Sequence, residues 1–150
     1  ALWFEEMDVL RIKPDQVSYA SMVNAYACAG KAKLAMKWFS QMQVVRMQPN
    51  AISYSSMINA CAQAGDARTA VEWLDKMRDR QLKPNVLTYS SVANAYARSG
   101  MHQRASKWLA EMKAARVEPN DVSYSIVVSA YARAGDPGGA AKQLRGMEAA

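Results

Sequence analysis

The hydrophobic positions of this chain fall into two kinds of stripe that alternate along its length. In the stretch from Lys83 to Gly100, KPNVLTYSSVANAYARSG, the apolar residues Val92, Ala95 and Tyr96 recur at three- to four-residue spacing, which predicts a helix with one face turned to a core. Gly100 marks its end, since glycine takes the left-handed conformation past a helix terminus without steric penalty. A second stripe follows in Ala105, Trp108, Leu109 and Met112, and Pro119 is read as its stop, because proline lacks the amide and restricts the residue before it. Each such segment is therefore expected to be a helical hairpin. No segment alternates apolar and polar residues as a strand would.

The hairpin is written repeatedly. Prolines stand at Pro14, Pro49, Pro84 and Pro119, and glycines at Gly30, Gly65, Gly100 and Gly135, both at a constant spacing of 35. The same register holds Tyr19, Tyr54, Tyr89 and Tyr124, then Ala35, Ala70, Ala105 and Ala140. It also holds Trp3, Trp38, Trp73 and Trp108, and Met7, Met42, Met77, Met112 and Met147. Such self-similarity signals a solenoid, in which each unit covers its neighbour's apolar face. The tryptophan, tyrosine and methionine columns lie at core spacing and are expected to pack between hairpins rather than stack on bases. The last copy departs from the others: Gly138 and Gly139 fall in the first turn of its second helix, and Gln143 replaces the tryptophan, so a looser hairpin is expected there.

Composition narrows the function classes. The chain has 150 residues, 51% of them hydrophobic, enough to exclude a disordered polymer. No apolar run approaches the roughly 20 residues a bilayer crossing needs, and the start does not resemble a signal peptide. The chain reads as soluble, and its first residue, not a methionine, as the start of a piece of something longer. Cys28 and Cys61 occupy different places in their copies and have no partner at metal-ligand spacing, so both are read as reduced thiols. The net charge of +6 favours a polyanionic partner, and residues 16–50 carry Lys31, Lys33, Lys37 and Arg46 without any acid. His102, the sole histidine, is expected at the surface. No phosphate loop, catalytic triad order or zinc deaminase signature occurs, so no catalysis, cofactor, metal or small-molecule substrate is expected.

A hairpin of 35 residues with Tyr early in the first helix, Gly at the turn, Ala and an aromatic in the second helix, Met, and a closing Pro-Asn resembles the pentatricopeptide repeat. The tetratricopeptide repeat has a period of 34 and places its Trp, Gly and Tyr differently. The resemblance divides the chain into the end of a preceding repeat at 1–15, repeats at 16–50, 51–85 and 86–120, and an incomplete or terminal repeat at 121–150. It implies an all-α, right-handed α-solenoid that binds single-stranded RNA, one nucleotide per repeat. By position, the residues implied to read bases are Ala20 with Asn50, Ser55 with Asn85, and Ser90 with Asn120. Ser125 would belong to an incomplete pair, and Asp15 to the preceding repeat. Val17, Ile52, Leu87 and Val122 would pack between successive bases, and Arg98 and Arg133 would face phosphate, where the earlier copies have Cys28 and Gln63. A hydroxyl residue followed by a closing Asn is implied to prefer adenine.

The asparagines also sit where a helix N-cap is favoured, and capping alone would account for them. By resemblance, the setting would be a mitochondrion or chloroplast, and the role RNA processing, stability or translation. The competing class is a non-catalytic scaffold that uses the same solenoid for protein contacts within a large organellar assembly.

Overall fold

The computed structural model describes residues 13–148. The readings of Trp3 and Met7 lie outside these residues. Among the described residues the chain forms helices and no strand: α1 (Gln16–Cys28), α2 (Ala32–Val44), α3 (Ala51–Ala64), α4 (Ala67–Asp79), α5 (Val86–Arg98), α6 (His102–Ala114), α7 (Asp121–Arg133) and α8 (Pro137–Glu148). They pair as antiparallel hairpins, α1 with α2 through α7 with α8.

Each odd-numbered helix starts in the same way. Asp15, Asn50, Asn85 and Asn120 are extended, and a side-chain oxygen of each accepts the amide three residues on, at 2.8, 3.1, 3.0 and 3.0 Å. This satisfies a donor that the first turn cannot pair internally. At the other end Gly30, Gly65, Gly100 and Gly135 all have left-handed backbone, with φ from 68° to 78°. The amides after them reach back to close the turn, as Lys31 does to the Tyr26 carbonyl and Met101 to that of Tyr96, both at 2.9 Å.

The even-numbered helices end differently from the sequence reading. Proline does not stop them: α2, α4 and α6 finish at Val44, Asp79 and Ala114, five residues before Pro49, Pro84 and Pro119. The stop is a left-handed residue without glycine, Arg46, Gln81 or Arg116 at φ 60°, 58° and 57°. Amides of Met47, Leu82 and Val117 then bond back to the carbonyls of Met42, Met77 and Met112 at 2.9, 3.1 and 2.9 Å. The prolines stand in the extended link that leads to the next cap.

The odd-numbered helices stack on one another as one layer, α1 on α3 on α5 on α7, whereas α2, α4, α6 and α8 make no close backbone approach among themselves. Spacing is thus tighter on the odd-helix side. Small buried residues permit the close stacking, Ser56 and Ser91 among them. The second layer is joined by larger side chains: the Phe39 and Trp73 rings meet edge to face at 4.8 Å across α2 and α4. Tyr54, Tyr89, Met42, Met77 and Met112 are buried in the core between the layers, with Trp38 and Trp108 half-buried against it.

The last hairpin closes despite its glycines. Asp136 accepts the Gly139 amide at 2.8 Å, and the Tyr131 ring lies where a Cβ on Gly139 would be. In the preceding copy the equivalent Tyr96 stacks on Trp108. With Gln143 in place of that tryptophan, Tyr131 instead packs against Gly139 and the His102 ring, at 4.8 Å from the latter. His102 is therefore half-buried, not on the open surface as its polar sequence context suggests, and its Nδ1 is buried without a hydrogen-bond partner.

Candidate functional site

The outer face of the odd-helix layer carries an unusual surface. Val17, Ile52, Leu87 and Val122 are 67, 62, 61 and 60% exposed, one from the first turn of each helix. These four branched apolar side chains form a row in strict register, the kind of apolar surface that a binding partner would cover. Between α5 and α7 this face opens into a cleft of about 400 Å³ lined by Asn94, Asp121, Val122, Ser125, Ile126, Ser129 and Arg133. Val122, Ser125 and Arg133 are thus brought together on one wall.

Beside the apolar row lie the capping residues. Asn85 and Asn120 are exposed and Asn50 half-exposed. In each, Oδ1 faces the helix, where it accepts both an amide and a hydroxyl: Thr88 Oγ1 on Asn85 at 2.9 Å, Ser123 Oγ on Asn120 at 2.9 Å, and Ser53 Oγ on Asn50 at 3.2 Å. The backbone amide fixes which end of the side chain is oxygen. Nδ2, a double donor, is left over, and it makes no hydrogen bond among the described residues. Asp15 caps in the same way, with the Ser18 amide and hydroxyl holding its carboxyl below its usual range.

Ser55 and Ser90 are less open than a groove position suggests, at 8 and 5% exposure, because the next repeat stacks over them. Their hydroxyls bond to hydroxyls of that repeat, Ser55 to Thr88 at 3.0 Å and Ser90 to Ser123 at 2.8 Å. Ala20, equally buried, has no group to offer. Ser125 is exposed on the cleft wall. Sequence reasoning passed over the residue that joins the serine pairs, the buried Thr88 or Ser123, with the buried Ser53 at the same position of the second complete repeat. Its signal was present as a hydroxyl directly before each tyrosine, at Ser18, Ser53, Thr88 and Ser123.

Arg98 and Arg133 end α5 and α7 and are exposed, with Arg133 donating to the Ala97 carbonyl at 3.4 Å. Cys28 is exposed, whereas burial, helped by the nearby Asp66 and Glu72 carboxylates, pushes the Cys61 thiol up to about 11. Among the described residues no group of His, Cys, Asp and Glu side chains converges as metal ligands would, and no helix is long and apolar enough to cross a membrane.

Comparison with known proteins gives a consistent result. Profiles described as PPR repeat family match residues 14–63 and 49–98, the Pentatricopeptide repeat domain matches 74–134, and the PPR repeat matches 122–150. No curated protein sequence matches the chain. Among solved structures, the pentatricopeptide repeat protein PPR10 in complex with an 18-nt psaJ RNA element is 27% identical, with a TM-score of 0.88 over 96% of this chain and 21% of that one. PPR10 from maize is similar at 25% identity and a TM-score of 0.76, over 97% and 21% of the two chains. The PPR domain of Arabidopsis thaliana protein-only RNase P 1, solved with tRNA, shares the fold at 16% identity and a TM-score of 0.75, over 96% and 76%. The chain thus spans about a fifth of the length of PPR10.

Proposed function

Because the chain belongs to the pentatricopeptide repeat family, we propose that it binds single-stranded RNA along the exposed face of α1, α3, α5 and α7, and that it does so without chemistry of its own. The observation that carries this reading is the row Val17, Ile52, Leu87 and Val122, exposed in register at one residue per repeat. Flat apolar faces at such a spacing suit bases held apart from one another and stacked on side chains. The RNA complex of PPR10 supports the same partner.

In this reading the repeats are 16–50, 51–85, 86–120 and the partial 121–150, and the base at each is read by the fifth and closing residues. Ser55 with Asn85 and Ser90 with Asn120 select two consecutive adenines. Ala20 with Asn50 specifies its base weakly, since alanine has no polar group. Arg98 and Arg133 neutralise phosphates. The organellar setting that the resemblance implies, and a role in RNA processing, stability or translation, belong to the same proposal.

Base stacking contributes about 1–3 kcal/mol each, so a few repeats bind weakly once ordering of the strand is counted. The test must therefore follow weak binding residue by residue. Amide NMR spectra of the chain, titrated with short single strands that differ only in two central bases, are expected to shift the Nδ2 resonances of Asn85 and Asn120 more with A-A than with G-G. Changing both to Asp should move the preference from adenine toward guanine, followed in that variant through the backbone amides of Thr88 and Ser123, because a carboxylate accepts from guanine's ring and exocyclic N–H groups but donates nothing. Equal response of both proteins to both strands would reduce the asparagines to caps, and no response to any strand would leave the face to a protein partner.

A further inference from the structure

The two residues proposed to read each base lie 30 positions apart in sequence, yet a third side chain connects them. Thr88 Oγ1 lies 3.0 Å from Ser55 Oγ and 2.9 Å from Asn85 Oδ1, and Ser123 Oγ lies 2.8 Å from Ser90 Oγ and 2.9 Å from Asn120 Oδ1. Both connecting residues are fully buried at the third position of the following repeat. We infer that Thr88 and Ser123 are positioning residues for base selection, which fix the hydrogen-bond polarity of the Ser55–Asn85 and Ser90–Asn120 pairs. The inference rests on the base-reading function proposed above.

Proton counting gives the polarity. A hydroxyl has one proton and two lone pairs, and an amide oxygen can only accept. Thr88 must therefore spend its proton on Asn85 Oδ1, and its own oxygen is left to accept. Ser55 then has to be the donor in the Ser55–Thr88 bond. With its proton committed, Ser55 has only lone pairs left to present, while Asn85, with Oδ1 occupied, presents only Nδ2–H. The pair is set as one acceptor and one donor, in fixed order. The same count applies through Ser123 to Ser90 and Asn120. An exocyclic amino group facing the serine and a ring nitrogen facing the asparagine satisfy both, as adenine does. Guanine, with carbonyl and ring N–H in those places, meets like against like.

Without the connecting hydroxyl, Ser55 could turn its proton toward the base and the serine side of the pair would accommodate either base, while the Thr88 backbone amide would still hold Asn85 Oδ1 at 3.0 Å. The first complete repeat shows the device in incomplete form. Ser53 donates to Asn50 at 3.2 Å, but Ala20 occupies the fifth position and the chain of hydroxyls ends there.

The test uses Thr88→Val, which keeps the shape and removes the hydroxyl, with Thr88→Ser as the conservative control. The probes are the A-A and G-G strands, followed through the Nδ2 resonances of Asn85 and Asn120. In Thr88→Val the A-over-G difference at Asn85 should fall by about tenfold, the value of one well-made base contact. Asn120, served by Ser123, should keep its preference and so report that the solenoid remains folded. Thr88→Ser should behave as the parent protein. As an independent second variant, Ala20→Ser completes the chain through Ser53 and should raise the preference for adenine at Asn50. If Thr88→Val leaves the difference at Asn85 intact, the positioning role is overturned while base reading stands. If the parent protein itself shows no A-over-G difference, base reading fails and takes this inference with it.

Discussion

Replacing Trp73 by Ala is expected to cost about 4 kcal/mol, in the middle of the usual range for emptying a large aromatic site. Trp73 is 8% exposed, with its ring edge to face with Phe39 at 4.8 Å and Tyr54 at 6.0 Å. Its ring also lies 4.6 Å from the Lys76 ammonium. Edge-to-face pairs add about 0.5–1.5 kcal/mol beyond burial. Phe39 belongs to the preceding hairpin, so the loss falls on the contact between units as well as within one. For a chain of this length each kcal/mol moves the midpoint by about 2–4 °C, giving a drop of about 8–16 °C in a circular dichroism melt. Trp108→Ala is the internal comparison, since Trp108 is only half-buried and its nearest rings, Tyr89 and Tyr96, stand more than 6 Å away. It should cost clearly less. A Trp73→Ala protein that melts within 2 °C of the parent, or one more stable than Trp108→Ala, would refute the assignment of Trp73 to the core, and loss of RNA binding with an unchanged melt would place it in the groove.

The two glycines of the last hairpin should respond with opposite sign. Gly138→Ala has room, its nearest neighbour being Asp136 Oδ1 at 3.6 Å, and should stabilise by up to about 1 kcal/mol through helix propensity. Gly139→Ala drives a Cβ into the Tyr131 ring and should destabilise by about 1–2 kcal/mol net, as overpacking does. Urea titrations of the pair would decide. Changing Arg98 and Arg133 together to Ala should lower the slope of log affinity against log salt by about 1.4, two phosphates at about 0.7 each on a single strand; an unchanged slope would remove both from the phosphate path. With its thiol pushed up to about 11, Cys61 should have about one thiolate in a thousand at pH 8, so iodoacetamide should label Cys28 alone until the chain unfolds. Equal labelling of the folded protein would contradict the burial of Cys61.

The hairpins were legible because two local signals coincide in every copy: apolar residues at helical spacing, and a glycine whose conformation other residues avoid. The ends of α2, α4 and α6 were not, since Arg46, Gln81 and Arg116 adopt left-handed backbone without glycine's mark, and proline five residues on was the more visible signal. The exposed row at Val17, Ile52, Leu87 and Val122 could not be separated by type from the core residues beside it. Only the resemblance singled it out, and exposure is a property of the stacked array. His102 was misjudged for a similar reason: its partner Tyr131 comes from the next repeat, displaced there by a substitution 41 positions away at Gln143. The connecting hydroxyls were hidden by distance, as Ser55 meets Thr88 across 33 residues.

Capping and the proposed base reading, which look like rival explanations of Asn50, Asn85 and Asn120, would use opposite ends of one side chain. Oδ1 closes the helix start and Nδ2 is left toward the exposed face. Asp15 performs the first task equally well, with amide and hydroxyl both at 2.8 Å from its carboxylate. Exchange between Asn and Asp at this position therefore keeps the cap, whose loss would cost about 1 kcal/mol, while turning a donor into an acceptor on the outer face. Fold stability is thus insensitive to a choice on which the proposed base preference depends. The same separation explains why the Asn-to-Asp exchange is the informative one at Asn85 and Asn120: an alanine there would remove the cap and the reading group together, and its effect on RNA could not be told from its effect on the helix.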